Sequence, residues 1–272
     1  MMKIIIVTTA LSIGICLFSC SPVPLTGRSQ LSLVDDAALE KEAVVAYRQF
    51  LSEPSTKLVK TGADAQQVKA VGNKLATAIN RYMQANGFGD TYKYNYEFNL
   101  VQSKEINAWC MPGGKVAVYS GLLEVTKNEA GLATVMGHEI AHAIARHAAE
   151  RYSQLSLAQA GGGILGAAVG GTSQGTQQVV GQLYGIGGQL ALLNYSRKQE
   201  SEADRMGLIF MALAGYNPDN AVLFWERMAA AKSSTGTPPE FLSSHPSDAS
   251  RIAAIRKLLP EARRYYTGAK VK

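Results

Sequence analysis

Two histidines and a glutamate stand in one five-residue stretch, HEIAH at residues 138–142, which has the form HExxH. Residues i and i+4 of an α-helix lie one turn apart on the same face, so His138 and His142 can bind one zinc ion at about 2.0–2.1 Å. Glu139 then lies beside the metal, where it can take a proton from water and pass it to a leaving nitrogen. The pattern therefore predicts metal-assisted hydrolysis.

The alternative is that these three residues are ordinary, partly exposed side chains of a surface helix. The motif lies within an apolar run from Leu132 to Ile144, where polar groups without a partner cost free energy. This placement favours a buried metal site.

A third metal ligand must come from elsewhere, because a catalytic zinc usually has three protein ligands and one open position. The acidic stretch ESEAD at residues 200–204 is predicted to be helical and offers three carboxylates. Glu200 and Asp204 share a helix face, so one can ligate while the other fixes the tautomer of a ligand histidine. Glu202 points about 160° away from Glu200 and cannot share that site. On chemistry alone the three carboxylates compete for the ligand position, and a solvated charged face is the alternative.

Several helices and a small sheet are predicted to position these residues. Apolar side chains at three- and four-residue spacing predict helices over Asp35–Ser52, Ala65–Gln84, Thr126–Tyr152, Arg197–Ala214, Pro218–Ala231 and from Ser247 onward. Alternation of aromatic and polar residues predicts a strand over Tyr92–Leu100, and a second strand over Lys115–Tyr119 follows a Pro-Gly-Gly turn. Thr126 and Glu129 have the capping-box pattern. If the same helix continues past the motif, His147 faces away from His138 and His142, so it is predicted to be a surface histidine.

The overall composition narrows the class of protein. The chain has 272 residues, of which 47% are hydrophobic and 18% charged, which is typical of one large globular domain. A net charge of +6 without a basic run argues against nucleic acid as a partner. Three cysteines without a CxxC pair exclude a disulfide scaffold or a zinc ribbon.

The first part of the chain reads as a targeting segment. Residues 1–19 carry one charge, at Lys3, before an apolar stretch that is typical of a signal peptide. Leu17-Phe18-Ser19-Cys20 resembles a bacterial lipobox, so Cys20 is predicted to be lipidated after cleavage. Residues 20–34 are predicted to form a tether and residues 35–272 the domain. Ser21 after the cysteine favours the inner leaflet of the outer membrane, facing the periplasm.

Residues 152–196 contain no Asp, Glu, Lys or Arg and many glycines. Glutamines interrupt the segment, so it lacks the roughly 18 consecutive apolar residues of a membrane span. A lid over the site is predicted here; ordinary packed helices and membrane contact are the alternatives.

The motifs together resemble a known family. HEIAH, followed about sixty residues later by ESEAD, is similar to the HExxH and E-x-x-A-D signatures of the zinc endopeptidase (gluzincin) family that contains HtpX and the CAAX prenyl proteases. The segments PLTGRSQLSLV, INAWCMPGGKVAVYSGLL and HPSDASRI look like its periplasmic lipoprotein branch. The resemblance implies an α+β, mostly helical zincin-type domain with one zinc ion per chain. Its ligands would be His138, His142 and Glu200, with Glu139 as the base and Asp204 hydrogen-bonded to a ligand.

The resemblance also implies how substrate is bound. A strand edge beginning at Asn107 would pair with an extended substrate backbone, whereas a plain structural edge is the alternative. The residues assigned to this substrate-binding edge are Asn107, Ala108, Trp109, Pro112 and Gly113. Trp109 and Cys110 stand where Phe and Ala or Thr are commoner, which would alter the groove.

His245, which precedes Pro246, is implied to approach the active site as a further catalytic residue. There it would cap the open metal position in a resting state or donate a hydrogen bond to the oxyanion of the transition state. A structural loop contact is the alternative.

The predicted activity is hydrolysis of unfolded or misassembled envelope proteins in periplasmic quality control, with outer-membrane assembly machinery as a possible partner and the lipid anchor as the membrane contact. A non-catalytic chaperone or assembly factor is the rival interpretation, although a pure binder has no need of Glu139. A zinc amidase acting on cell-wall peptides is disfavoured by the family resemblance.

Overall fold

A computed structural model describes residues 20–159, 195–234, 239–245 and 249–266. The strands are β1 Cys20–Pro22, β2 Ser29–Leu31, β3 Leu58–Val59, β4 Glu97–Val101, β5 Ala108–Met111 and β6 Lys115–Tyr119. The helices are α1 Asp36–Ser52, α2 Ala63–Ala85, α3 Ser120–Thr126, α4 Glu129–Ile144, α5 His147–Gln159, α6 Arg197–Leu213, α7 Asn220–Ser234, α8 Glu240–Ser244 and α9 Ala249–Ala262. The predicted class, mostly helical with a small sheet, is confirmed. The predicted lid at 152–196 lies outside the described residues except at its two ends.

The larger sheet has the strand order β3-β4-β6-β5. Strands β4 and β6 are parallel, while β5 pairs with β6 in antiparallel fashion through a turn at Gly113 and Gly114. Both glycines have φ of 77°, a conformation that side chains disfavour. Strand β5 therefore lies at an edge of this sheet, which is where a further strand can be added.

The strand predicted over Tyr92–Leu100 is shorter in the structure, which begins β4 at Glu97. The backbone N–H of Tyr94 bonds to the carbonyl of Tyr92 at 3.0 Å, so it is used within a local turn instead of a ladder. The rings of Tyr92 and Tyr94 contact each other, and so do those of Tyr94 and Tyr96. The aromatic alternation thus reflects ring packing before the strand as well as the strand itself.

Helices α4 and α6 pack directly against each other at a pair of glycines. A Cβ atom on Gly207 would lie 2.9 Å from the backbone nitrogen of His138, and one on Gly137 would lie 3.1 Å from the carbonyl oxygen of Gly207. Nothing larger than glycine fits at Gly207 without moving one helix. This close contact brings the HExxH motif on α4 next to the acidic stretch on α6.

Both ends of α4 differ from the prediction. Asn128 caps the helix by accepting a hydrogen bond from Gly131 N at 2.8 Å, whereas Thr126 ends the preceding helix α3. At the other end α4 stops at Ile144 instead of Tyr152. Arg146 has φ of 52°, and a new helix, α5, begins at His147. This break changes the direction of His147 relative to the motif.

The predicted tether at residues 20–34 is corrected by the structure. Strands β1 and β2 form an antiparallel pair, with Pro22 opposite Ser29. Val23 is 1% exposed and Gln30 is 2% exposed, so the segment packs on the domain. Its strands are three residues long and have no clear alternation, so no periodic signal announced them.

Helices α6 and α9 begin close to the residues that the sequence pattern predicted. Helix α6 begins with a capping box between Ser196 and Gln199 and ends before Gly215, close to the predicted limits. Helix α9 begins at Ala249 and packs against α6, and the short helix α8 precedes His245. Among the described helices, none is both long and apolar enough to cross a membrane.

Candidate metal centre

Four side chains that can bind a metal converge where α4 and α6 pack. Ligand atoms of His138, His142, Glu200 and His245 all lie within 4.8 Å of one another. The Nε2 atoms of His138 and His142 are 3.1 Å apart, and Glu200 Oε1 lies 3.3 Å from His142 Nε2. All four side chains belong to residues that are buried. The structure thus brings together the two histidines of the motif, the predicted third ligand and the distant His245.

Asp204 lies behind the first histidine of the motif. Its Oδ1 is 3.1 Å from His138 Nδ1, on the side of the ring that faces away from His142. Burial would raise the pKa of Asp204, but the charge of Arg251 and the hydrogen bond with His138 outweigh it and lower the pKa. An ionised Asp204 favours the tautomer of His138 that carries its proton on Nδ1, and this leaves the Nε2 lone pair directed into the cluster.

Arg251, on α9, was not singled out from the sequence. Its Nη1 lies 2.8 Å from Glu200 Oε2, while Nε and Nη2 bind the two carboxylate oxygens of Asp204 at 2.9 and 2.8 Å. Its guanidinium also lies 3.6 Å over the ring of Trp225. One buried cation therefore holds both carboxylates. The sequence could have pointed to Arg251, because this residue falls within the HPSDASRI segment that begins at His245.

Glu139 lies beside the cluster and is 3% exposed. Its Oε1 has no hydrogen-bond partner among the described residues, and His245 Nε2 lies 3.5 Å away from it. Burial raises the pKa of Glu139 to about 7, and charge interactions with His245 and Arg251 act in the opposite sense. A carboxyl group with this pKa can both accept and return a proton near neutral pH.

The prediction that His147 is a surface residue is wrong. The residue is fully buried, and its Nδ1 lies 2.8 Å from Nδ1 of His142. Its Nε2 lies 3.0 Å from Glu202 Oε2. The helix break at Arg146 places His147 behind His142, where a continuous helix would have turned it away. Glu202 is outside the metal cluster, as its helical position predicts, but reaches it through His147.

The side chains of the edge strand β5 point alternately toward helix α1 and toward a cleft beside His142. Trp109 packs under α1 against the rings of Tyr47 and Phe50, with centroids 5.7 and 5.0 Å away. Cys110 faces the other way, because successive side chains of a strand alternate, and lines a cleft of about 360 Å³ next to His142. Of the two departures from the family pattern, Cys110 therefore borders the cleft through its side chain, whereas the side chain of Trp109 does not.

The other predicted edge residues have distinct places. Pro112 lines the same cleft, together with Tyr195, whose ring stacks on His142 with centroids 4.0 Å apart. Asn107 is buried, and its Oδ1 accepts a hydrogen bond from Ala108 N at 2.9 Å. Gly113 lies in the turn after β5 and packs beside Glu40 of α1.

The residues present fit a zinc ion. Two imidazole nitrogens and a carboxylate oxygen form the set found in catalytic zinc sites. With Asp204 accepting from Nδ1 of His138, the Nε2 lone pair of that ring faces the Nε2 of His142 at 3.1 Å and the Glu200 carboxylate at 3.5 Å. Converging lone pairs and a negative charge are satisfied by a cation between them. The fold and this cluster define a zincin-like metalloprotease domain.

Comparisons with known proteins agree with that class. Residues 63–259 match the model of peptidase family M48. The chain is 31% identical over 240 residues to "Mitochondrial metalloendopeptidase OMA1" of Schizosaccharomyces pombe, which covers 88% of this chain and 66% of that protein. It is 30% identical over 197 residues to "Beta-barrel assembly-enhancing protease" of Escherichia coli, covering 70% of this chain and 38% of that protein. The chain belongs to peptidase family M48.

The resemblance drawn from the motifs is thus confirmed at the level of the metalloendopeptidase family. The relatives named here are OMA1 proteins and the assembly-enhancing protease, and the likeness to the periplasmic lipoprotein branch stays a prediction. Human "Metalloendopeptidase OMA1, mitochondrial" is 31% identical over 244 residues, covering 88% of this chain and 46% of that protein. The chain therefore spans between 38% and 66% of the lengths of these relatives.

Proposed function

We propose that the chain is a zinc-dependent endopeptidase that hydrolyses peptide bonds of unfolded or misassembled cell-envelope proteins. His138, His142 and Glu200 are its zinc ligands, with one ion per chain. The observation that carries the proposal is the placement of Glu139. Its buried carboxylate oxygen has no partner among the described residues and lies against a cluster whose donors suit zinc.

When bound, zinc supplies a Lewis acid that polarises the substrate carbonyl and lowers the pKa of water at the site. Glu139 takes a proton from the attacking water as the new C–O bond forms. As the C–N bond breaks, Glu139 returns that proton to the leaving nitrogen, so the carboxylate is regenerated.

His245 is in a position for either of its two predicted roles. Its Nδ1 lies 2.9 Å from Glu200 Oε1, and its Nε2 lies 3.5 Å from Glu139 Oε1. In a resting state the ring would occupy the position that substrate needs. In the reaction it would turn to donate a hydrogen bond to the developing oxyanion.

Strand β5 would hold the substrate. An extended peptide added to this edge makes backbone hydrogen bonds that depend little on side chains. Such binding suits unfolded proteins, since their backbone is available for pairing. Asn107, Ala108, Trp109, Pro112 and Gly113 provide this edge and its following turn.

The proposed location is the periplasm, with the chain held by lipid on Cys20 at the inner leaflet of the outer membrane after removal of residues 1–19. The name of the Escherichia coli relative supports an association with outer-membrane assembly machinery. Metabolic labelling with a radioactive fatty acid tests the anchor. Label on the parent chain that is lost in Cys20→Ala is expected, whereas label retained by Cys20→Ala would reject this anchor.

The activity is tested by zinc content and cleavage of unfolded casein by the purified chain, beside Glu139→Gln. Zinc near one equivalent in both proteins is expected, with cleavage lost only in the variant. Glu226→Gln is the matched control, because Glu226 is exposed, pairs with Arg256 and is not a member of the metal cluster. Cleavage that survives in Glu139→Gln would reject the proposed mechanism.

The rival function is that of a chaperone or assembly factor that binds exposed strands without cutting them. Zinc bound by a parent chain that cleaves nothing would favour this function or a gated enzyme. If the role of His245 is to cap the site, a His245→Ala variant separates the two, since removal of the ring would release activity from a gated enzyme and none from a chaperone.

A further inference from the structure

A line of side chains runs from the N-terminal hairpin to the second histidine of the motif. Arg28 Nε lies 2.8 Å from Glu202 Oε2, and the same carboxylate oxygen lies 3.0 Å from His147 Nε2. The other nitrogen of that ring, Nδ1, lies 2.8 Å from Nδ1 of His142. Four residues from three separate parts of the chain therefore form one continuous row of hydrogen bonds.

The proton positions in this row follow from its two ends. Arg28 is a donor, so Glu202 accepts from it and also accepts from His147 Nε2–H. A neutral His147 then has a lone pair at Nδ1, which can only accept, so His142 Nδ1 must carry the proton. The remaining nitrogen of His142, Nε2, is left with a lone pair on the side of His138 and Glu200. This is the tautomer that a zinc ligand requires.

The hairpin fixes Glu202 at more than one point. Thr26 Oγ1 donates to Glu202 Oε1 at 2.5 Å, and Arg28 also binds both oxygens of Glu150 at 2.6 and 2.9 Å. Together with His147, these bonds surround the buried carboxylate of Glu202 with hydrogen-bond donors. The side chain of Arg28 is 15% exposed, so its charge is largely withdrawn from water and directed at the two carboxylates.

We propose that Arg28, Glu202 and His147 are positioning residues that fix the tautomer and orientation of His142, so that the segment following Cys20 is part of the zinc site. The inference rests on the proposed function, because it assigns a role toward a zinc ion bound by His142. It gives the PLTGRSQ segment a task that a tether does not have. None of the three residues contacts substrate or the reacting atoms.

The test measures the zinc dissociation constant of the full chain, purified in detergent, by competition with a chromophoric chelator. The variants are His147→Leu, Glu202→Gln and Arg28→Met. Loss of a partner that orients a metal-bound histidine typically weakens metal affinity by about 10- to 100-fold. We expect this loss for His147→Leu and Glu202→Gln, and a smaller loss in the same direction for Arg28→Met.

Arg205→Met is the matched control for Arg28→Met. Arg205 also makes a two-bond ion pair, with Glu261 at 2.9 and 2.7 Å, and it lies on α6 like two of the site's carboxylates. The zinc affinity of the Arg205→Met variant should equal that of the parent. Thermal unfolding of the metal-free proteins separates a general loss of stability from a specific loss of zinc affinity.

A double variant distinguishes a positioning role of Arg28 from a general effect on the stability of the fold. If Arg28 acts on His142 only through His147, then adding Arg28→Met to His147→Leu changes the zinc dissociation constant no further. Independent structural effects would instead multiply. Arg28→Lys should recover part of the affinity, since one ammonium can reach one carboxylate but lacks the fork of arginine.

The inference is overturned if the parent binds zinc, Glu139→Gln abolishes cleavage, and all three outer variants keep the parent's zinc dissociation constant within twofold. It is also overturned if the losses in the double variant multiply. If the parent binds no zinc, the proposed function and the inference fail together. If it binds zinc that the outer variants weaken while Glu139→Gln still cleaves, only the proposed mechanism fails.

Discussion

The two histidines of the motif are supported in different ways. Behind His138 stands a carboxylate in direct contact, Asp204, with Arg251 of the C-terminal helix α9 bound to both of its oxygens. Behind His142 stands another histidine, His147, and only then a carboxylate and an arginine, Glu202 and Arg28. Each row ends in an arginine, one from near each end of the described chain.

The difference shows how much depends on one helix. Helix α6 places Glu200 beside His142, Asp204 beside His138 and Glu202 beside His147. Residues two apart on a helix face opposite directions, so Asp204 and Glu202 cannot both contact ligands directly. The ring of His147 lies between Glu202 and His142 and links the two by hydrogen bonds. The first support is short and buried, whereas the second is longer and ends at a partly exposed arginine.

The largest effect is expected from removing Glu200, the proposed third ligand, whose carboxylate lies next to both histidines. Glu200→Ala should lower zinc affinity by more than the roughly 10- to 100-fold that outer partners contribute, because a direct ligand is lost. Isothermal titration of the metal-free chain measures it, with Glu226→Ala as the exposed control. Zinc affinity within tenfold of the parent would mean that His245 or another group is the third ligand.

A smaller effect is expected from the short support. Asp204→Asn should weaken zinc binding more than Glu202→Gln does, because Asp204 contacts its histidine directly. It also removes the charge of one of the two carboxylates that Arg251 binds, and breaking a buried ion pair typically costs about 3–5 kcal/mol of unfolding free energy. Chelator competition and urea denaturation measure the two quantities. Equal losses of zinc affinity in the two variants would remove the distinction between direct and relayed support.

The contact between the two ligand helices is tested at Gly207. Its Ala substitution places a Cβ 2.9 Å from His138 N, so α4 and α6 must separate. Overpacking of this kind typically costs about 1–3 kcal/mol. Ser201→Ala, at an exposed position on the same helix, should change stability by no more than about 0.5 kcal/mol. Equal unfolding midpoints in urea for the two variants would show that the helices do not depend on the glycine contact.

The smallest effect is expected at an exposed arginine. Arg256 pairs with Glu226 at 2.6 Å, but its side chain is 59% exposed. Arg256→Met should therefore change unfolding free energy by no more than about 0.5 kcal/mol and leave zinc affinity unchanged. A loss of zinc affinity comparable to that of Arg28→Met would indicate a general effect of arginine removal instead of the specific row of bonds.

Local sequence patterns predicted the helices and strands that have a regular spacing of apolar residues. Helix α2 was expected over Ala65–Gln84 and spans Ala63–Ala85, and strand β6 has its expected limits. Apolar residues recur along the whole length of these elements at the spacing of a helix or a strand, so the spacing alone predicts them. The HExxH motif was informative for the same reason, since its spacing is a property of one helix turn.

The supports of the site depend on contacts between distant parts of the chain. His147 was assigned to the surface because a helix was extended across Ala145 and Arg146, where the backbone turns. Arg28 lies in a hairpin too short to show a period, and Arg251 lies 47 residues from its partner Asp204. One sequence gives no distance between such residues, so the pairing became visible only in the fold.

The central claim is that this site cleaves peptide bonds only with a metal held by His138, His142 and Glu200. The most direct measurement is the rate of casein cleavage by metal-stripped chain as zinc is added back stepwise. The account predicts no cleavage without metal and a rise that ends near one equivalent of zinc per chain. Cleavage at the full rate by the metal-free chain, or none at any zinc level including with His245→Ala, would contradict it.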